Sequence, residues 1–181
     1  MTDAPRVPAG TSALVLTASD RAAAGSREDA SGAALAERLR TIGLTVSRAV
    51  EPDDRARLEA TLRAAASRHA LVVTTGGTGL TPRDVTPQAT LAVLDYEVPG
   101  LAEAMRAAGR SHTPLADLSR GVVGVVGRTL VVNVPGSPKA AVESIDAILA
   151  VLPHALETLA GPFDHAAHAG RPDLPRDGSP S

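Results

Sequence analysis

The polarity pattern alternates between short continuous apolar runs and longer stretches with helical spacing. Ala13-Leu14-Val15-Leu16-Thr17 is almost wholly apolar, as expected of a strand covered on both faces. A polar, glycine-bearing loop over 18–30 follows. The spacing then predicts a helix over about 31–41, with Leu35, Leu39 and Ile42 in line and Gly43 at the C′ position. Residues 44–50 read as a second strand. Pro52-Asp53-Asp54 opens a helix to about Arg68, with Leu58, Leu62 and Ala65 on one face and Asp53 or Asp54 as its cap. A third strand, 71–75, runs straight into Gly76-Gly77-Thr78-Gly79. Thr86-Pro87 sets a capping hydroxyl before a proline at the first helical position and predicts a helix carrying Leu91 and Leu94. Another helix is expected over about 100–109. Residues 122–126 and 129–133 flank Gly127-Arg128 as a hairpin. Ser137-Pro138 repeats the cap signal before a helix with Val142, Ile145, Leu149 and Leu152, which Pro153 breaks or kinks.

Strands alternating with helices imply an α/β fold with a largely parallel sheet, and the late hairpin adds one antiparallel strand. The organisation expected is a flexible arm over 1–11, one folded domain over 12–165 and a disordered tail over 166–181. The tail holds Pro172, Pro175, Pro180 and Gly178 with little apolar content to offset ordering entropy.

Composition narrows the function classes. The 181 residues carry 18 Lys+Arg against 20 Asp+Glu, a net charge of −2, which argues against a nucleic-acid partner held by a broad basic surface. Cysteine is absent, so disulfides, thiolate metal sites and cysteine nucleophiles are excluded. Tyr96 and Phe163 are the only aromatics, too few for a base-stacking platform. No apolar run approaches the ~20 residues of a membrane helix, and residues 1–10 lack the apolar segment of a secretory signal. A soluble, cytoplasmic protein with no membrane partner is expected. The five histidines form no convincing metal set.

In open α/β sheets ligands bind beyond the carboxyl ends of the strands. Three polar loops follow strands here: 17–25 with Ser19-Asp20-Arg21, 76–84, and 133–139. Their convergence is the central expectation. The glycines of 76–79 let the backbone approach a ligand and present its N–H groups to a phosphate. A bare Gly-Gly-x-Gly is also simply a tight turn, and the loop fits neither the Walker nor the dinucleotide pattern. Arg83 beside Asp84 reads either as a solvated surface pair worth little or, in a functional loop, as Arg83 on phosphate oxygens with Asp84 as a metal ligand or orienting group. Asn133-Val134-Pro135-Gly136-Ser137-Pro138-Lys139 sets a glycine turn at a helix start, which reads equally as an ordinary capped helix or as a place where orphan N–H groups favour an anion.

Thr75-Gly76-Gly77-Thr78-Gly79-Leu80-Thr81-Pro82-Arg83-Asp84-Val85-Thr86-Pro87 resembles the signature loop of the molybdenum-cofactor biosynthesis proteins, the molybdopterin adenylyltransferase branch in particular. Ser19-Asp20-Arg21, Asp29, Pro52-Asp53, Pro99-Gly100, Leu118-Ser119-Arg120 and Asn133-x-Pro135-Gly136-Ser137-Pro138 match family positions in the same order, over about 12–160. The resemblance implies a three-layer α/β/α sandwich around a mainly parallel sheet, assembled as a homotrimer. It implies transfer of AMP from Mg-ATP to the terminal phosphate of molybdopterin, with Mg²⁺ required and hand-over of the product to a molybdate-inserting enzyme. By the same resemblance Asp53 and Asp84 are the functional carboxylates, Ser119 belongs to the pterin site, and Asp20 and the 76–79 loop line the pocket. On that resemblance Asp53 and Asp84 would serve Mg²⁺ or orientation, roles that fit carboxylates. Gly76, Gly77, Thr78 and Gly79 would donate to phosphate with Ser19 and Arg83 nearby, and Asn133, Gly136, Ser137 and Lys139 would hold the pterin or its phosphate. Which loop serves ATP and which the pterin stays open. The alternative is a non-catalytic molybdopterin-binding protein of the same fold.

Overall fold

A computed structural model describes residues 6–161. The chain runs β1 (Ser12–Ala18), α1 (Asp20–Ala23), α2 (Ala30–Arg40), β2 (Thr45–Glu51), α3 (Arg55–Ala66), β3 (Leu71–Thr75) and α4 (Thr86–Leu91). It continues through β4 (Tyr96–Glu97), α5 (Pro99–Arg110), a 3₁₀ turn at Pro114–Leu118, β5 (Val123–Val126), β6 (Thr129–Val134), α6 (Pro138–Ile148) and α7 (Leu152–Ala160). The six strands form one sheet in the order β2-β1-β3-β6-β5-β4. β1 pairs in parallel with β2 and β3, and β3 with β6. β5 lies antiparallel to both β6 and β4, so it alone among these strands runs against the rest.

The central strands are apolar on both faces because helices cover both. Ala13, Val15, Leu71, Val73, Leu130 and Val132 point to a layer made by α2, α5, α6 and α7. Leu14, Leu16, Val72 and Val131 point to the opposite layer, with Leu58 and Leu62 of α3 and Ala89 of α4. Each fully buried Leu or Val contributes roughly 1.5–3 kcal/mol. The three-layer sandwich with a mainly parallel sheet is therefore the observed architecture.

Several local expectations change. The polar loop over 18–30 contains α1, whose N-cap Ser19 accepts from the Ala22 N–H. Asp54, not Asp53, caps α3 by accepting from the Arg57 N–H, so Asp53 has no capping role. Thr86 is not a cap: Val85 holds that position, and the Thr86 N–H donates to Gly77 O. Leu91 is exposed rather than core. Pro153 lies in the first turn of a separate helix, α7, which starts at Leu152. Within the expected arm, Val7 is buried and its N–H donates to Ile42 O at 2.9 Å. Residues 1–5 and the expected tail over 166–181 lie outside the described residues. No helix among the described residues is long and apolar enough to cross a membrane.

Candidate active site

Parallel strands deliver their outgoing loops to one end of the sheet, and there β1, β2, β3 and β6 each release a polar segment. The main chains of these segments come into close contact. Gly76 adopts φ +94°, and a Cβ there would stand 2.4 Å from Ala18 O, while a Cβ on Gly136 would come within 3.1 Å of Gly76 Cα. Only residues without side chains let β1, β3 and β6 end this close together.

A cavity of about 410 Å³ opens between these segments. Ser19, Asp53, Gly76, Gly77, Arg83, Asp84, Gly136 and Ser137, all expected from sequence, line it together. The first residues of α2 and α6, Ala30, Ser31 and Pro138, also face it and bring the positive ends of two helix dipoles. Asp29 caps α2 by accepting from the Gly32 N–H at 2.9 Å, and Pro138 has no N–H to offer. Ser137 sits at the N-cap of α6 but makes no side-chain cap hydrogen bond. Its hydroxyl is therefore not committed to the helix.

The acids are held by the backbone. Asp20 N–H donates to Asp53 Oδ2 and Asp53 N–H donates to Asp20 Oδ1, both at 3.1 Å, so the two loops grip each other reciprocally. Arg83 reaches across from the glycine loop to pair with Asp20. Asp84 Oδ2 accepts from the Thr81 N–H at 2.8 Å and its hydroxyl at 2.6 Å. The two candidate metal-holding carboxyls consequently differ. Burial pushes Asp53 above the ordinary aspartate range, assisted by the Asp20 and Asp84 charges and opposed by the Asp20 N–H and Arg83. Burial also raises Asp84, but hydrogen bonds from Thr81 and Gly79 and the Arg120 charge outweigh it and hold this carboxyl below the ordinary range.

A second cavity of about 260 Å³ lies on the other side of the glycine loop. Thr78, Gly79, Ser119 and Asn133 line it, with Met105 and Arg106 of α5 and Leu115 and Leu118 of the 3₁₀ turn. The expected residues thus divide between two cavities that share one loop. Asn133 is 1% exposed and its side chain is fully engaged: Nδ2 donates to Thr74 and Thr90 hydroxyls at 2.9 Å, and Oδ1 accepts from the Val122 N–H. It braces the wall rather than offering free groups. Lys139 lines neither cavity; its side chain is 81% exposed, 3.8 Å from Glu143. Asp20 also lines neither and acts through Asp53 and Arg83.

Sequence reasoning did not single out Arg27 and Glu28 of the first cavity or Met105, Arg106 and Leu115 of the second. A usable signal existed for α5: Ala102, Arg106 and Gly109 recur at the spacing of one helix face.

The probable molybdopterin binding domain family matches residues 14–154. The molybdenum cofactor biosynthesis bifunctional protein of Synechococcus elongatus is 40% identical over 164 residues, 90% of this chain. The match covers 51% of that protein, so the chain spans about half its length. The molybdopterin adenylyltransferase of Helicobacter pylori (strain J99) is 37% identical over 154 residues, covering 82% of this chain and 88% of that enzyme. The structure of the molybdopterin biosynthesis enzyme MoaB from Thermus thermophilus superposes with a TM-score of 0.78 at 49% identity, covering 82% of this chain and 96% of that one. The molybdopterin biosynthesis Mog protein from Mycobacterium ulcerans gives 0.79 at 41%, covering 84% and 99%. Fold, paired cavities and matched residues coincide over the same stretch of sequence, and the chain belongs to the molybdopterin-binding domain family.

Proposed function

We propose that the protein acts in molybdenum cofactor biosynthesis as a molybdopterin adenylyltransferase. The observation that carries the reading is that one glycine loop lines both cavities, Gly76 and Gly77 on the polar side and Thr78 and Gly79 on the apolar side. A nucleotide triphosphate fits the first, with its glycine backbone and helix N-termini. The flat pterin fits the second, where Met105, Ala116 and Leu118 offer apolar surface beside Ser119. The pterin's terminal phosphate would then meet the α-phosphorus across the loop. Relatives named molybdopterin adenylyltransferase at 37% and 38% identity support the same chemistry.

In the reaction an oxygen of the molybdopterin phosphate attacks the α-phosphorus of ATP. A new P–O–P linkage forms, the bond to the β-phosphate breaks, and pyrophosphate departs with its electron pair. The nucleophile is already anionic, so no strong general base is needed, and the barrier is one of charge crowding and alignment. The polar cavity carries four carboxylates, Glu28, Asp29, Asp53 and Asp84, against Arg27 and Arg83. This excess of acid suits Mg²⁺ accompanying the triphosphate. Asp53 and Asp84 would hold the ion with phosphate oxygens and water; among the described residues no three acidic or histidine groups form a ready-made cage. When bound, Mg²⁺ supplies charge neutralisation at the phosphates. Arg83 and the Gly77 and Thr78 N–H groups would orient the oxygens, since the Gly76 N–H already donates to Val134 O and the Gly79 N–H to Asp84, and Asp20 keeps Asp53 and Arg83 in register.

The test is incubation with molybdopterin, ATP and Mg²⁺. Adenylylated molybdopterin and pyrophosphate are expected in equal amounts, and neither product at high enzyme concentration would reject the reading. The second reading is non-catalytic pterin binding, favoured by the family description, which names binding alone. It requires saturable molybdopterin binding with no dependence on ATP. A homotrimer, expected from the resemblance, belongs to the same proposal and is read by light scattering.

A further inference from the structure

The turn over 79–84 presents Arg83 and Asp84 to the polar cavity, yet it has almost no packing of its own. Leu80 at its head is 65% exposed, and Thr81, Pro82 and Arg83 are exposed too. A segment of this kind keeps its shape through hydrogen bonds or not at all. Within the turn the Thr81 N–H and hydroxyl donate to Asp84 Oδ2 and the Asp84 N–H to Thr81 O, and Arg83 pairs with Asp20. The bonds that hold its two ends lead to Arg120, a half-buried residue on the far side of the loop. Its backbone N–H donates to Thr78 O at 3.0 Å. Its guanidinium spans the turn, Nε donating to Gly79 O at 2.7 Å and Nη2 to Asp84 O at 2.5 Å. Both ends of the turn are thus tied to one planar fork, while its neighbours Ser119 and Gly121 line the apolar cavity.

We infer that Arg120 is a positioning residue: it clamps the 79–84 turn so that Asp84 and Arg83 face the reacting phosphates, without touching substrate itself. The catalytic part of this inference rests on the adenylyltransferase reading; the clamp does not. Lysine cannot replace it, since one ammonium does not span two carbonyls with the fixed geometry of a guanidinium.

The test uses the full chain as wild type, Arg120→Ala and Arg120→Lys. Amide hydrogen exchange over 79–85 is expected to quicken about tenfold or more in both variants, with β3 amides unchanged. In the adenylylation assay kcat is expected to fall about 100-fold in Arg120→Ala, with KM for molybdopterin within about threefold. Added guanidinium chloride at low millimolar concentration should restore part of the Arg120→Ala rate and none of the Arg120→Lys rate. Unchanged exchange in the turn, or a rise shared equally with β3, overturns the clamp. Quickened exchange with kcat unaltered overturns its catalytic role. Should Arg120→Ala fail to fold, Arg120→Lys carries the same exchange and kcat criteria. A wild-type protein that makes no adenylylated molybdopterin rejects the adenylyltransferase reading, and the exchange data still decide the clamp.

Discussion

The two cavities flanking the glycine loop are built from different materials. The polar one is assembled largely from main chain and short polar side chains at the ends of β1, β2, β3 and β6, where glycines allow strands to meet backbone to backbone. The apolar one is assembled from side chains of α5, α6 and the 3₁₀ turn, elements that belong to one helical layer. The first is suited to charge, because fixed N–H groups and carboxylates need no reorganisation as a phosphate reacts. The second is suited to surface, because Met105 and Leu118 can adapt to a flat ring. Main-chain architecture tolerates little change in shape, whereas side-chain architecture tolerates substitution at graded cost.

That contrast can be broken or sharpened in four ways. Asp84→Ala should lower adenylylation turnover about 10³-fold, while a fluorescence titration finds molybdopterin affinity within about threefold. Equal loss of both would merge the two cavities into one functional unit. Gly76→Ala should destabilise the fold by about 3 kcal/mol in urea unfolding, because both its positive φ and the Ala18 carbonyl oppose a side chain. Gly127→Ala, also at positive φ but with nothing within 4 Å, should cost only about 1 kcal/mol. Ala116→Trp, which fills the apolar cavity, should raise KM for molybdopterin about tenfold, or about 1.4 kcal/mol, and leave ATP binding unaffected in calorimetry. The smallest effect concerns Asp53→Asn. The raised carboxyl of Asp53 binds its proton more readily folded than unfolded, so its ionisation lowers stability as pH rises above the ordinary aspartate value. The asparagine keeps an acceptor for the Asp20 N–H and should melt slightly higher than wild type at pH 7. The gap should close in calorimetric scans as pH falls below the ordinary aspartate value. Asp84 has the opposite sign: it contributes stability above that value, which is lost as pH falls through its lowered pKa.

Much of the fold was legible where a single principle governed a segment. The apolar runs of β1 and β3 could only be strands covered on both sides, and Gly127 at φ +59° is the hairpin turn that its flanking strands demanded. The segments that escaped were those set by tertiary contact. Tyr96–Glu97 is a strand only because β5 lies beside it. The Pro114–Leu118 turn packs against α5 and has no periodicity of its own. Thr86 carries the local signature of a cap, but its N–H is taken by Gly77 O across the loop. At the site, the glycine and aspartate positions were readable because their chemistry sits in contiguous motifs. The apolar cavity was readable only at Thr78, Gly79, Ser119 and Asn133; its helical walls from α5, α6 and the 3₁₀ turn were not, because those residues look like ordinary core or surface one at a time. Arg120 was visible within a matching tripeptide, yet its reach to Gly79 and Asp84 depends on a fold that brings residues 36 and 41 positions apart together.

All the chemistry-bearing loops leave one end of the sheet, and the Gly127 turn sits at the other. Both cavities therefore open at one rim, and the hairpin tip lies at the rim away from them. There the Gly127 N–H donates to Asp95 Oδ2 at 2.6 Å and Arg128 reaches Ala160 O, so the far rim is a braced corner of the sheet.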